Sequence, residues 1–482
     1  MKRADIHEIF HPHSIAVVGA SDDITRGATR FLKALMMGGY KGELYAVNPH
    51  SKTALGMKSY PSLKDIPGNV NHAVIGVPAH LTPSVLEDAV EKGLRSVHLF
   101  TSGFAETETE EGIDLQRRID RIAGGKVRII GPNCLGIYNP KMNIVFDQHQ
   151  STIPGGFGFI SQSGGMSIVF SEMARDEQNY CSKLVSIGNA SDLKMTDFLE
   201  YLSGDHDTQA IGIYLEGLRN DEGGKFLEII RETTRIKPVV MWKAGQTDAG
   251  ARAASSHTGS VAGGYDMWRI MARQLGVVMV DSIEEMHDFL KILRMLDRFP
   301  KTNRCCLVTQ GGGNCVGFSD ICAKEGVGLP ELQSTTQEGL LDFVPPMGTI
   351  RRNPIDLSAS GFAQDVLKKA IELASNDRNI DFIMYILDIG FVINRANQFG
   401  KRLREFLVDQ VESLVAAGKE ISIPLICCTP AFLQDRSVAE LRQDLKRALQ
   451  KNNIPIFPSV ERASKAIMKY FEYHCFKNGA GS

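Results

Sequence analysis

The sequence predicts an α/β protein made of parallel-sheet blocks, and three observations carry that expectation. At 482 residues the chain exceeds what one hydrophobic core serves, and length alone suggests about three domains. Short β-branched runs alternate with helix-period stretches along its whole length, as in sheets whose parallel strands are joined by crossover helices. One strand–glycine turn–helix unit also occurs twice without gaps. Ile160-Ser161-Gln162-Ser163-Gly164-Gly165, followed by Phe170, overlays Val308-Thr309-Gln310-Gly311-Gly312-Gly313, followed by Phe318. Such self-similarity reads as an internal duplication.

The first block opens with the apolar strand Ser14-Ile15-Ala16-Val17-Val18, which ends in the turn Gly19-Ala20-Ser21. A helix is expected across Arg26–Met37, then strands at Glu43–Val47, Ala73–Val77, Ser96–Phe100 and Arg128–Ile130. Their exits carry Asn48-Pro49, Val77-Pro78-Ala79, Thr101-Ser102-Gly103-Phe104 and Gly131-Pro132-Asn133-Cys134. In a doubly wound sheet those exits share one edge, where ligands bind. The glycine pattern is not G-x-G-x-x-G, and the second strand ends at Asn48 where a ribose-binding site needs Asp or Glu, which disfavours NAD. Arg26, Lys41 and Lys52 stand where a phosphate-rich nucleotide can use them. Lys141–Pro154 reads as a link. The second block runs from Phe157 to about Leu296 and the third from Cys305 to near His474, with the polar, Pro300-broken stretch Asp297–Arg304 between them.

Composition narrows the partners. With 43% hydrophobic and 23% charged residues and a net charge of -2, the chain has no global field for nucleic acid or an anionic membrane, so phosphate recognition must be local. Neither a signal core nor a membrane-length apolar run is present, which points to the cytoplasm. The nine cysteines show no C-x-x-C and no zinc spacing, so they read as reduced, buried small hydrophobes, and no metal site is expected. Only Cys134 falls near a site.

A glycine turn entering a helix leaves backbone N–H groups pointing outward at the positive end of the helix dipole. Each such end contributes about 0.3–1 kcal/mol toward holding an anion. Ser163, Gly164 and Gly165 form one cradle of this kind; Gly311, Gly312, Gly313 and Asn314 form the other. His257, in Ala253-Ala254-Ser255-Ser256-His257-Thr258-Gly259-Ser260, sits in a small-residue stretch read as a loop, where an imidazole can carry a phosphoryl group. Glu216 ends the strand Gly212–Leu215. A carboxylate there can hold one ring nitrogen as N–H and leave the other nucleophilic; a surface or helix-capping glutamate is the plain alternative.

On these residues the chain resembles the α subunit of the nucleoside-diphosphate-forming acyl-CoA synthetases, relatives of succinyl-CoA synthetase. The resemblance rests on Ile15–Ser21, Val47-Asn48-Pro49, Ser102-Gly103-Phe104, Gly131–Gly136, Ser161–Gly164, Gly188-Asn189, Tyr214–Gly217, Ser255–Gly259, Gly311–Gly313 and Asn353–Leu357. It implies a Rossmann-like CoA-binding domain over 1–148 and two flavodoxin-like ligase domains over 152–298 and 302–476. It also implies the ATP-dependent ligase reaction acyl-CoA + phosphate + ADP ⇌ carboxylic acid + CoA + ATP, with phosphohistidine at His257 oriented by Glu216. Phosphate falls to Ser163, Gly164, Gly165, Gly312, Gly313 and Asn314. CoA falls to Gly19, Ala20, Ser21, Arg26, Asn48, Pro49, Lys52, Val77, Pro78, Ser102, Gly103, Asn133 and Cys134. The family's ATP-grasp module is expected on a separate β subunit that binds ADP/ATP and Mg²⁺, in a heterotetramer. Two other readings stand beside this one: a CoA-binding scaffold or sensor without turnover, and a subunit of a CoA-dependent lyase or citryl-type ligase.

Overall fold

The computed structural model describes residues 3–218, 222–258, 264–390, 392–393, 403–430 and 436–479. Two compact units divide the chain, Met1–His287 and Asp288–Ser482. The division falls inside the helix Ile283–Met295, upstream of the polar stretch at Asp297–Arg304. Its His287 is fully buried and takes the side-chain amide of Asn179 on its carbonyl at 2.9 Å within the first unit. Asp288 pairs with the Arg462 guanidinium at 2.5 Å within the second.

The first unit holds two sheets. One contains β1 (Ser14–Val18), β2 (Glu43–Val47), β3 (Thr53–Ala54), β4 (Met57–Tyr60), β5 (His72–Ile75), β6 (Ser96–Leu99) and β7 (Arg128–Ile130), in the order β3-β4-β2-β1-β5-β6-β7. Apart from antiparallel β3, this is the 3-2-1-4-5-6 order of a dinucleotide-type doubly wound sheet, with its switch point between β1 and β5. Every residue of β1 is buried, as a strand covered on both faces requires.

The other sheet contains β8 (Gly136–Tyr138), β9 (Phe157–Ser161), β10 (Cys181–Ser186), β11 (Ala210–Leu215), β12 (Val239–Lys243) and β13 (Val278–Met279), ordered β13-β12-β11-β9-β10-β8. Its five parallel strands follow the flavodoxin order 2-1-3-4-5. Antiparallel β8 extends the edge, although it lies in the stretch the sequence assigns to the first block. The following stretch is no loose link. The Tyr138 hydroxyl donates to the Ser151 carbonyl at 2.6 Å, and the Gln150 amide donates to the Ser171 hydroxyl at 2.9 Å.

The second unit carries β14 (Cys305–Thr309), β15 (Ile350–Arg351), β16 (Ile355–Asp356), β17 (Phe382–Ile386), β18 (Leu425–Cys428) and β19 (Ile456–Phe457), ordered β15-β16-β14-β17-β18-β19. This is again 2-1-3-4-5 with one antiparallel edge strand, so the duplication read from sequence extends to topology. All nine cysteines are free thiols; Cys475 is half-buried and the other eight are buried. Among the described residues no helix is long and apolar enough to cross a membrane.

Candidate functional site

The exits of β1 and β5 form the crevice expected at the switch point. Gly19 has φ +95°, and a Cβ there would stand 2.7 Å from the Gly76 carbonyl oxygen, so glycine alone lets the two turns approach. Asn48 is buried and pins the neighbouring exit: its amide donates to the Ala20 carbonyl at 2.9 Å and its oxygen accepts the His50 N–H at 2.9 Å. Ser21 donates its N–H to the Thr29 hydroxyl, and the Thr101 hydroxyl donates to the Val77 carbonyl at 2.6 Å. Around this rigid floor Pro49, Lys52, Pro78 and Ser102 are exposed, and exposed Arg26 meets Asp23 at 3.4 Å. Two cations, Arg26 and Lys52, stand exposed at the rim of this crevice. Lys41 does not belong to it. That residue precedes β2 and so lies at the opposite edge of the sheet, where its ammonium donates to the Lys141 carbonyl at 2.7 Å.

A cavity of about 340 Å³ brings Asn133 and Cys134 together with Ser163, Gly164, Gly165 and Glu222. Its wall is stitched from loops distant in sequence. The Asn189 N–H donates to the Pro132 carbonyl at 3.0 Å, and a Cβ on Gly188 would lie 2.2 Å from that same oxygen. The Asn189 side chain donates to Glu106 at 2.5 Å, and Glu106 also accepts the Gly103 N–H at 2.6 Å. Burial pushes the Glu106 carboxyl up, but the bonds from Asn189, Gly103 and Phe104 outweigh it and hold the group below its ordinary value. Neither Glu106 nor this role of Asn189 was read from sequence; an acidic residue three positions past a Ser-Gly turn is the only local signal. Cys134 is buried, and burial pushes its thiol up to about 12, so it lines the cavity as a neutral group and not as a nucleophile.

Ser163 caps the helix Gly164–Asp176, its hydroxyl accepting the Met166 N–H at 3.3 Å, while its own N–H is taken by the Ser161 hydroxyl at 3.1 Å. As the first two helical residues, Gly164 and Gly165 have amides with no partner inside the helix. Those amides open on the cavity, and a side chain at Gly165 would meet nothing nearer than 3.8 Å. The second glycine turn starts the helix Gly312–Lys324 in the second unit. Gly311, at φ +118°, gives its N–H to the buried Asp356 carboxylate at 2.7 Å. Asn314 differs from its expected part: its N–H is spent on the Gly311 carbonyl at 3.1 Å and its side chain turns back to the Gln310 carbonyl. Gly312 and Gly313 remain to present amides there.

Glu216 follows β11 directly and is buried. Gln162, for which the sequence alone indicates no role, clamps this strand exit. Its oxygen accepts the N–H groups of Glu216 at 2.6 Å and Gly217 at 3.1 Å, and its amide donates to the Gly217 carbonyl at 2.7 Å. Buried Lys243 donates to the Glu216 carbonyl at 2.7 Å; burial lowers the ammonium's pKa, and the Glu216 charge opposes that shift. Burial first, then the Glu216 carboxylate, pushes the Tyr214 hydroxyl well above its ordinary value. The Glu216 backbone is therefore held in a fixed, enclosed place.

The loop expected around His257 is a helix as far as it is described, Asp248–Thr258. Helix-forming Ala251, Ala253 and Ala254 favour it, the Thr247 hydroxyl accepts the Gly250 N–H at 3.1 Å, and Asp248 complements the dipole in the first turn. His257 therefore lies within this helix; its side chain and residues 259–263 lie outside the described residues.

Comparison with known proteins agrees with this geometry. The CoA binding domain family matches residues 13–140, and the succinyl-CoA ligase like flavodoxin domain family matches 154–293. The chain is 34% identical to the alpha subunit of ADP-forming acetate–CoA ligase II of Pyrococcus furiosus, over 95% of each chain. It is also 34% identical to ADP-forming acetate–CoA ligase I of Archaeoglobus fulgidus, where 96% of this chain spans 63% of that longer protein. Its structure resembles the dinucleotide forming acetyl-coenzyme A synthetase 1 of Ca. Korarchaeum cryptofilum, solved with phosphate and ADP, at 31% identity and a TM-score of 0.80, covering 98% of this chain and 97% of that one. With its CoA-binding sheet, its flavodoxin sheets and these relatives, the chain belongs to the ADP-forming acyl-CoA ligase family.

Proposed function

We propose that this chain is the α subunit of a cytoplasmic ADP-forming acyl-CoA synthetase that interconverts acyl-CoA, ADP and phosphate with carboxylic acid, CoA and ATP. The observation that supports the reading most directly is the single cavity that joins the Asn133–Cys134 exit to the amides of Gly164 and Gly165. Gly19, Ala20, Ser21, Asn48, Val77 and Gly103 shape the coenzyme crevice, while Arg26, Lys52, Pro49, Pro78 and Ser102 line its rim. An inorganic phosphate on the Gly164 and Gly165 amides attacks the thioester carbonyl; the C–S bond breaks and the coenzyme leaves as its thiol. The other product is an acyl phosphate. A ring nitrogen of His257 then attacks phosphorus, the P–O bond to the acyl group breaks, and the carboxylate departs. Glu216 holds the opposite ring nitrogen as N–H and stabilises the charge that develops on the ring. Gly312 and Gly313 receive the phosphoryl oxygens in the later transfer to ADP. We assign nucleotide and Mg²⁺ mainly to a separate ATP-grasp β subunit in an α2β2-type assembly, and domain limits at 1–148, 152–298 and 302–476.

Labelled ATP and the β partner test the reading. Wild type should form an acid-labile, base-stable phosphoprotein; His257→Ala should form none, lose all net turnover and still bind CoA. Loss of CoA binding in that variant, or label retained without the histidine, would refute the assignment. Glu216→Gln should slow phosphoryl transfer by about 10–10⁴-fold, the range of a positioned acid–base partner.

A further inference from the structure

His98, on β6, is a fully buried histidine that the chemistry above does not use. Its Nε2 lies 3.1 Å from the Cys134 carbonyl oxygen; a carbonyl only accepts, so that nitrogen carries the proton and donates. Burial lowers the imidazole's pKa to about 4 against the opposing pull of this bond, so the ring is neutral at neutral pH. Phe31 meets the ring edge-on at 5.1 Å and meets Phe100, which lines the cavity, at the same distance. The ring also lies against Gly136, at φ +72°, where a Cβ would collide with the imidazole. The turn it touches needs holding: Asn133 sits at φ +58°, in the left-handed region that residues other than glycine seldom adopt. Three N–H groups anchor that turn. Asn133 donates to the Thr101 carbonyl at 3.0 Å, Cys134 to the Leu99 carbonyl at 3.4 Å, and Leu135 to the Ser186 hydroxyl at 3.2 Å. His98 adds a hold on the carbonyl side.

We propose that His98 is a positioning residue for acyl transfer: its bond to the Cys134 carbonyl keeps the turn Asn133–Leu135 in register with the amides of Gly164 and Gly165. The inference rests on the ADP-forming acyl-CoA reading of the site. All three turn residues line the cavity, whereas His98 does not, and so it acts only through them. Leu135 carries the register. Its Cγ lies 3.2 Å from where a Gly164 side chain would begin, so a turn that shifts moves directly against the phosphate nest. Attack of a phosphate oxygen on the thioester carbonyl needs the reacting atoms about 3–3.5 Å apart, and a misplacement of about 1 Å costs as much as 10²-fold in rate. The nucleotide end of the coenzyme, held in the crevice beyond β1 and β5, does not depend on this turn.

Three variants of the full chain, assayed with the β partner in each half-reaction, test the assignment. His98→Gln puts an amide donor near the Nε2 position, His98→Asn puts one near Nδ1, and His98→Leu has none at similar volume. With labelled ATP all three should phosphorylate His257 at the wild-type rate, because that step does not use the turn. Acyl transfer is followed as release of labelled phosphate when CoA and a panel of aliphatic and aromatic acids are added. There His98→Leu and His98→Asn should be about 10–100-fold slower, with the Kd for CoA and one site per chain unchanged by calorimetry. His98→Gln should recover most of the rate. Should His98→Leu melt early, the Gln and Asn variants, both polar and one methylene apart, keep the comparison. Equal rates in those two, or wild-type transfer in His98→Leu, overturn the proposal. So does a parallel loss of both half-reactions or of CoA affinity, the mark of a histidine that only supports the fold. A wild type that binds no CoA, forms no phosphohistidine or releases no phosphate with any acid would instead bring down the acyl-CoA reading.

Discussion

The two glycine turns share a sequence register, a strand order and a 13-residue helix, yet they present different electrostatic faces. The equivalence extends to single hydrogen bonds: Ile187 donates its N–H to the Ser161 carbonyl as Leu357 does to that of Thr309. This makes Ser186, paired with Ser161, the counterpart of Asp356, paired with Thr309. Ser186 is neutral, and its hydroxyl accepts the Leu135 N–H at 3.2 Å. Asp356 is a buried carboxylate that takes the N–H groups of Gly311 at 2.7 Å and Ser358 at 2.8 Å. The first turn is thus an open nest of amides, and the second is an amide nest with an anion already at its base. A glycine motif supplies the donors, and the end of the adjacent strand decides how much positive potential they keep.

Placing the same charge in both nests should separate them most widely. Gly165 and Gly313 occupy the same helical position, and a Cβ at either meets no close neighbour, so aspartate fits without strain and suits a helix start. Gly165→Asp should weaken phosphate binding by about 10²–10³-fold, as expected for like charges about 4 Å apart in a partly screened site. Gly313→Asp should cost less, because Asp356 already lowers the potential there. Equal losses in phosphate titrations of the two variants would break the contrast.

The paired glutamines sharpen it next. Gln162→Leu removes the clamp on Glu216 and Gly217, and kcat should fall about 10–100-fold, within the range of a positioned acid–base group, with KM for CoA unchanged. Gln310, at the equivalent place, instead donates to the Tyr385 hydroxyl at 3.0 Å inside the second unit's core. Gln310→Leu should therefore register in stability, by about 1–3 kcal/mol for a disrupted buried network. A kcat loss in Gln310→Leu without any drop in Tm would contradict this division of labour.

Much of this was legible because it is local. Apolar runs bounded by glycine placed β1, β9 and β14, and the repeated Gln-x-Gly-Gly register revealed the duplication before any topology was known. What escaped depends on distant partners. Asn189 and Glu106 meet across 83 positions, and β8 joins the second sheet through an edge pairing that no residue in Gly136–Tyr138 announces. Asp356 was visible within Asn353–Leu357, but only the register of β16 against β14 brings its carboxylate to Gly311. The helix described from Asp248 as far as Thr258 differs for another reason. The helix propensity of its alanines outweighs the loop preference of the small polar residues around His257.

The counterpart residues at the two strand ends offer the finest test, because their exchange changes few contacts. Asp356→Leu leaves the Gly311 and Ser358 amides without their acceptor in a buried place, a loss of about 1–3 kcal/mol. For a unit of this size that corresponds to a drop of about 2–12 °C in Tm. Asp356→Asn keeps an acceptor oxygen and should recover most of the loss, while relieving the negative charge and tightening phosphate at Gly312 and Gly313. Ser186→Ala, which gives up one bond to a half-buried amide, should cost only about 0.5–1.5 kcal/mol. Hydrogen exchange can locate these effects, with Gly311 and Ser358 losing protection in Asp356→Leu and Leu135 in Ser186→Ala. If Asp356→Asn binds phosphate no better than wild type, the carboxylate does not set the potential of the second nest, and its role reduces to holding the turn in shape.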